Sequence, residues 1–422
     1  MSRPSQTLPG AAALAPAAAA PALGRIRIAL FLGGFSTFSL LYCVQPLLPE
    51  FAHEFGLDAA SSSLPLSLAT MGLALAIFVA GAVSENLGRR GLMFASILTA
   101  ALLNLAAALA PHWGTLVLAR ALSGIALGGV PAVAMTYMAE EIPHEKLGAA
   151  TGLYVGGNAF GGMAGRMAVG FLTDHYGWRA AMAAVSVSGV LCAVGFVLLL
   201  PASRHFVRRQ GVNLGYHLHA WGGHLLDRHM RRLCAIPFLL MGAFVSVYNY
   251  AAFRLGGPEF GLSQSQIGWI FGAYLFGIVA SSLAGALSDR FGRGPVVVAG
   301  SACALAGIAL TLAHALAVVV AGVVLLTAGF FVAHSAASAW VSRLGRHSRG
   351  HAASLYLLAY YTGSSLLGWA SGWAWQHGGW PLLAGFCLTL AALACVAAQL
   401  LRRQADDSRP YGRFAPHPPR GE

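Results

Sequence analysis

The sequence predicts an all-α membrane protein, with twelve transmembrane helices in two pseudo-symmetric six-helix bundles. Three observations predict it. Of the 422 residues, 57% are hydrophobic and 9% are charged, too few charges to cover a soluble surface of that size. The apolar runs are continuous and close to the roughly 20 residues a helix needs to cross a bilayer. Barrel strands would alternate over about ten residues, and lipid admits no third solution. Sequence patterns of the first half also return 202 to 204 positions later, the sign of a duplicated unit.

The elements follow in chain order. Residues 1–24 are rich in Ala and Pro. Prolines interrupt the Ala run, and the long apolar run starts only after Arg25 and Arg27. A disordered cytoplasmic tail is expected there, not a cleaved leader. Spans are expected at about 26–48, 62–84, 92–111, 114–138, 147–172, 179–200, 233–253, 266–288, 295–313, 315–340, 351–374 and 380–401. The faintest break is at His314, where Ala and Val continue on both sides. The spans group into an N-terminal bundle at 25–201 and a C-terminal bundle at 233–402. Residues 202–232 read as a cytoplasmic linker rich in Arg and His, suited to anionic headgroups. Residues 403–422 read as a second cytoplasmic tail. His217, His219, His224 and His229 lack an ordered ligand spacing, so no metal is expected.

The net charge is +12, and its distribution explains it. With residue 1 in the cytoplasm, the tails and even-numbered connections hold Arg89, Arg90, Lys146, Arg208, Arg209, Arg290, Arg293, Arg343 and Arg402, among others. The opposite side holds only Arg179 and Arg254. This is the positive-inside bias, and it places both termini in the cytoplasm. The charge is topological, which argues against nucleic acid as a partner. Cys43, Cys192, Cys234, Cys303, Cys387 and Cys395 lie in or beside apolar segments and read as small buried hydrophobes, not disulfides. No P-loop is present, so a gradient must supply any energy. No nucleophile–base or metal constellation appears, so neither an enzyme nor a cofactor is expected.

Two compact charged turns punctuate the chain, "GAVSENLGRRGLM" at 81–93 and "GALSDRFGRGPVV" at 285–297. Gly81 and Gly285, Gly88 and Gly292, and Arg89 and Arg293 match 204 positions apart, as do Gln45 and Asn249. "GLYVGGNAFGG" (152–162) faces "SLYLLAYYTGS" (354–364) at an offset of 202, shared by Trp178 and Trp380. A six-helix unit duplicated in parallel implies a pseudo-twofold axis along the membrane normal.

This layout and the repeated G-x-x-x-[DE]-x-x-G-R-[RG] turn resemble the major facilitator superfamily, over nearly all of the chain outside its tails. "LLYCVQPLLPEF", "MTYMAEEI", "GLYVGGNAFGGMAGR" and "FFVAHSAASAW" resemble bacterial inner-membrane permeases of the arabinose-efflux-like or acriflavine-sensitivity type. The resemblance implies a monomeric, multi-pass transporter of the bacterial inner (plasma) membrane that works by alternating access. Its partners would be the lipid bilayer, a small-molecule substrate and protons. Proton-coupled export of small organic molecules, drug-like or sugar-like, is the implied activity. The resemblance also implies that the turns at Gly81, Glu85, Gly88 and Arg89 and at Gly285, Asp289, Arg290, Gly292 and Arg293 latch the bundles on the cytoplasmic side. Glu85 stands where the family has Asp, and Asn86 where it has Arg, so the first copy is expected to latch more weakly. Arg120 matches a span-4 arginine implicated in proton coupling. "GNAFGG" resembles the span-5 antiporter motif, with Asn158 in place of its proline, a departure that weakens the implication of antiport.

The residues themselves add more. Gly157, Gly161 and Gly165 recur at i, i+4 and i+8 and form a stripe for close helix packing. Arg120 lies on the order of 9 Å inside the outer end of its span, and Arg166 lies at similar depth. Both should face the bundle interior or a cavity, unless Arg166 snorkels outward. No Asp or Glu lies in the middle of a span. His334 is then the best titratable group at depth, against the reading of a packing histidine. Glu50 is the second proton-carrier candidate, if span 1 extends past Pro46 and Pro49. In the resembled family spans 1, 4, 7 and 10 surround the cavity, which nominates Tyr42, Gln45, Tyr137, Tyr248, Asn249, Tyr250 and His334. Arg166 joins them as a cavity candidate from span 5, and Tyr360 and Tyr361 from span 11. Two other readings stay open: uptake or facilitated diffusion of an anionic metabolite, motivated by Arg120 and Arg166 without carboxylates, and a non-transporting membrane sensor.

Overall fold

Proline and glycine decide where this apolar chain bends. The computed structural model describes residues 20–203, 214–345 and 348–407, without the side-chain surroundings of 20–22, 78–87, 214, 216–218, 349 and 404–407. The expected gating residues Gly81 and Glu85 fall in that set, and most of both expected tails lies outside the described residues. The described residues contain no strand.

Helix α1 (Ala20–Tyr42) passes through a 3-10 turn at Gln45–Leu47 into α2 (Leu48–Phe55). Pro46 and Pro49 lack the N–H groups that a straight helix needs, so the segment bends there. The first apolar stretch therefore runs to Phe55, beyond the expected end at 48. The first half continues with α3 (Ala59–Ser62), α4 (Leu64–Leu87), α5 (Arg89–Ala108), α6 (Trp113–Leu127), α7 (Gly129–Glu141) and α8 (His144–Leu199). The second half holds α9 (Leu214–Leu226), α10 (Arg228–Gly256), α11 (Gln264–Ile270), α12 (Ala273–Phe291), α13 (Arg293–Leu310), α14 (Leu316–Leu344) and α15 (Arg349–Asp407).

Nine helical stretches among the described residues are long and apolar enough to cross a membrane. Two of them, within α8 and α15, hold non-helical backbone at Gly177 and at Gly378–Gly379. These are the places where the sequence predicts breaks between spans. The faint break at His314 is also present, between Leu310 and Leu316.

Several boundaries differ from expectation. Ala20 to Gly24, expected in the tail, already belong to α1. The polar linker contains α9, which sits against α15 through Trp221 Nε1 donating to Ser354 Oγ at 3.1 Å. The expected fourth and eighth spans are each divided, at Gly128 and at Phe271–Gly272. Cys303 is exposed, although all six cysteines are free.

Packing within each half rests on small residues. A Cβ added at Gly157 would meet Phe31 O at 2.6 Å, one at Gly165 would meet Ser39 Oγ at 2.6 Å, and one at Gly161 would overlap Phe35 O. The stripe on α8 thus lets the backbone of α1 approach without a gap. The repeat reproduces the contact: Gly363, equivalent to Gly161, lies against Phe238 O where α15 meets α10.

Candidate functional site

A cavity of about 650 Å³ lies between the two halves. Its walls come from α1, α7, α8, α10, α12, α14 and α15, with Arg293 at the start of α13. It is lined along α12 from Tyr274 to Asp289, a length of about 22 Å at helical rise. One end of it reaches the second charged turn, where Asp289 and Arg293 line it. We call this the turn end. The other end is closed by Tyr42, Arg166 and Tyr274.

The closed end is sealed by polar contacts between the halves. Gln45 Nε2 donates to Asn249 Oδ1 at 2.7 Å. These two residues are equivalent in the repeat, and equivalent positions meet only on the symmetry axis, so the contact marks the pseudo-twofold. Arg166 Nε donates to Gln45 Oε1 at 2.6 Å, which orients the amide so that its nitrogen faces Asn249. Farther out, the backbone N–H groups of Gln264 and Ser265 donate to the Asp174 carboxylate at 3.1 and 2.8 Å. Asp174 thereby serves the unsatisfied donors at the start of α11. Gln264 Nε2 also donates to Glu50 at 3.2 Å. Gly170 approaches Gln264 O closely, and its repeat counterpart Gly372 approaches Ala60 in the same manner. Asp58 caps α3 by accepting from Ser61 N at 2.6 Å. That hydrogen bond holds its carboxyl below the usual range against the opposing effect of burial, with Gln376 adding a further hydrogen bond.

The structure separates the expected residues into three groups. Tyr42, Arg166 and His334 line the cavity, together with Tyr360 and Tyr361. His334 Nδ1 lies 3.0 Å from Tyr356 Oη, and its ring sits 4.8 Å from that of Tyr360. Gln45, Asn249, Tyr248 and Tyr250 lie behind the closed end. Tyr248 Oη pairs with Thr327 Oγ1 at 2.7 Å, and Tyr250 Oη donates to Ala59 O and Gly368 O at 3.5 Å each. Tyr137 and Arg120 are buried away from the cavity. Tyr137 Oη donates to Pro201 O at 3.0 Å.

Arg120 is fully buried within the first half. It donates to Leu40 O at 2.8 Å, Leu41 O at 2.6 Å and Asn104 Oδ1 at 2.7 Å. The end of α1 leaves its last carbonyls without intrahelical partners, and a cation is favourable at that terminus. Arg120 therefore holds the bend of the first span. Glu50 sits half-buried on α2, at the end of the bent first segment.

At the turns, Gly88 has φ 80° and Gly292 has φ 85°, which only glycine adopts without strain. Arg89 Nη2 pairs with Glu140 Oε1 at 2.9 Å. Asp289 and Arg290 are exposed, and Asp289 forms no ion pair among the described residues.

Sequence reasoning missed Tyr154, Asn158, Tyr274 and Phe330 as lining residues. For two of them a signal existed. The 202-residue offset pairs Tyr154 with Tyr356, and Asn158 with Tyr360, so the repeat marks one face of two equivalent helices.

Comparison with known proteins agrees with this geometry. The model of the Major Facilitator Superfamily matches residues 30–258 and 239–421. The MFS-type transporter YybF of Bacillus subtilis (strain 168) is 40% identical over 383 residues, 91% of this chain and 95% of that protein. The inner membrane transport protein YnfM of Escherichia coli (strain K12) is 39% identical over 388 residues, 91% and 92% of the two chains. Among solved structures, a bacterial homolog of the human lysosomal transporter Spinster, inward-facing and unoccupied, superposes with a TM-score of 0.74 at 15% identity. That match covers 95% of this chain and all of the other. A D-xylose–proton symporter gives 0.72 at 17% identity, covering 90% and 97%. With both halves matched by the family model and close relatives along nearly their whole length, the chain belongs to the major facilitator superfamily, as a multi-pass membrane transporter.

Proposed function

We propose that this protein is a secondary transporter of the bacterial inner membrane that exports small organic molecules in exchange for protons. The observation that carries the reading is the asymmetry of the cavity, which reaches the turn end and is sealed at the other by Gln45, Asn249 and Arg166. Positive-inside charge assigns the turn end and both termini to the cytoplasm. In that orientation the cavity faces the cytoplasm, ready to load a solute for export. Alternating access then follows by rocking the two bundles, twelve spans in all, about the midplane site. His334 is the proton-carrying group in this reading: it is a titratable side chain that lines the cavity, with its Nδ1 3.0 Å from Tyr356 Oη. Arg120 supports coupling indirectly, by fixing the bend of span 1.

Purified protein in proteoliposomes with an imposed pH gradient tests the proposal. A panel of small organic solutes should include at least one whose flux collapses when a protonophore dissipates the gradient. His334→Ala should remove the pH dependence of flux. Flux of every transported solute that ignores the gradient, or full pH dependence in His334→Ala, overturns the coupling assignment. A second reading, uptake or facilitated diffusion of an anion, is favoured by Arg166, a cavity cation without a carboxylate partner among the described residues.

A further inference from the structure

We propose that Arg166 and the rings around it form the binding site for the acidic group of an aromatic organic anion. The proposal rests on the transport reading above and names the substrate class of the same cavity.

Arg166 is 1% exposed, yet it lines the cavity. Burying a guanidinium is costly unless something compensates its charge. Among the described residues its acceptors are all neutral: Gln45 Oε1 at 2.6 Å and Gly162 O at 2.6 Å. The Tyr42 ring centroid lies 4.2 Å from its Cζ, with Tyr274 at 4.9 Å and Phe271 at 5.2 Å. These ring faces offset part of the charge and leave its full compensation to a visiting anion.

The fold itself does not require a cation there. The repeat counterpart of Arg166 is Gly368, in an equally buried helix contact. The scaffold is met by glycine in one half, so the arginine of the other half serves something else. The charge on the cavity wall points the same way. Among the described residues the only lining acid is Asp289, at the turn end beside Arg293. The deep end therefore carries one positive charge and no negative one.

The walls select for a flat, apolar body. Phe38, Phe244, Phe330, Phe331 and Tyr360 line the cavity, and rings gain by offset or edge contacts with other rings. A planar guanidinium presents a fork that matches a carboxylate bidentately. An aromatic carboxylate satisfies both requirements, with its acid at Arg166 and its ring among the phenylalanines. An aromatic amine of the same shape places a second cation beside the first.

The test is ligand binding to the purified full chain in detergent, read by calorimetry, followed by flux in proteoliposomes. The probes are benzoate, indole-3-carboxylate, cyclohexanecarboxylate, benzylamine and benzyl alcohol. Benzoate and indole-3-carboxylate should bind at least tenfold more tightly than benzylamine or benzyl alcohol. Arg166→Gln should erase that preference, and Arg166→Lys should keep part of it. Tyr274→Leu, which leaves the guanidinium in place, should narrow the advantage of benzoate over cyclohexanecarboxylate several-fold. The wild-type comparison needs no variant to fold. Binding of benzylamine as tight as benzoate, no binding of either carboxylate, or an unchanged preference in Arg166→Gln overturns the proposal. If benzylamine is bound and moved, the anion site falls and the transport reading stands. If benzoate binds through Arg166 and no solute crosses the bilayer, the site stands and the transport reading falls.

Discussion

The two glycine turns share a backbone and differ in what faces them. Gly88 has φ 80° and ψ 143°, and Gly292 has φ 85° and ψ 158°. Each is followed at once by an arginine that opens the next helix. In the first copy, Glu140 at the end of α7 meets that arginine, with Arg89 at 9% side-chain exposure and Glu140 at 25%. In the second copy, the charge that acts on Arg293 from the corresponding helix end is Arg343, of like sign, opposed by Asp289. Arg293 Nε is buried without a hydrogen-bond partner. One turn is thus tied within its own half. The other keeps its charges free at the mouth of the cavity. A duplicated motif can keep its shape and divide its work: the first copy braces a bundle, and the second is available for a gate.

The largest test reverses the first copy. Glu140→Arg places a like charge on a mostly buried arginine, as in the second copy, and should cost roughly 3 kcal/mol. Thermal unfolding in detergent should report a clear loss. An unchanged midpoint would mean that the ion pair is decorative.

Next come the glycines themselves. Among the described residues, nothing lies within 4 Å of a Cβ added at Gly88, and only Pro295 Cδ, at 3.9 Å, near one added at Gly292. The cost of Gly88→Ala or Gly292→Ala is then chiefly backbone strain in this extended positive-φ region, about 1–3 kcal/mol each. The two losses should agree within about 0.5 kcal/mol. A large difference would show that the turns are not equivalent in backbone terms.

Arg343→Glu gives the second copy the partner that the first already has. It should add at most about 1 kcal/mol and slow solute flux, because the mouth becomes tied within its half. Faster flux would contradict the division of labour.

The smallest effect concerns an ion pair far from both turns. Arg254 donates to both Glu259 oxygens at 2.9 Å, and those bonds hold the Glu259 carboxyl down at about 2. An unfolded Glu titrates near 4.3. The stabilisation is therefore complete above that value and is lost as pH falls through about 2. Glu259 is one-third exposed, so the effect is slight. Glu259→Gln should flatten the stability profile between pH 5 and 2, with a slight loss at pH 7 that vanishes as pH falls to about 2. A difference that persists at pH 2 would point to packing instead.

Most of the fold is legible in the sequence because length and apolarity alone force helices in lipid. The breaks at Gly177, Gly378 and His314 are visible for the same reason. The equivalence of Gln45 and Asn249 is legible in the repeat offset, and their contact on the axis comes only with the fold. The cavity wall is less so. Tyr274 and Phe330 face it only because of how α12 and α14 rotate against their neighbours, and nearly uniform apolarity leaves no moment to read. Arg120 shows a different limit. A charge deep in a span suggests chemistry, and only the fold brings it to the Leu40 and Leu41 carbonyls at the end of α1 that account for it.

The contact on the pseudo-twofold has a historical consequence. After a duplication, residues away from the axis drift independently, because each is judged only by neighbours in its own half. An axial residue is judged by its own copy. Gln45 and Asn249 now differ by one methylene, and Arg166, which exists in one half alone, dictates which of them donates. At the axis the inherited symmetry is broken, and a single arginine present in one half is enough to give two equal halves a left and a right.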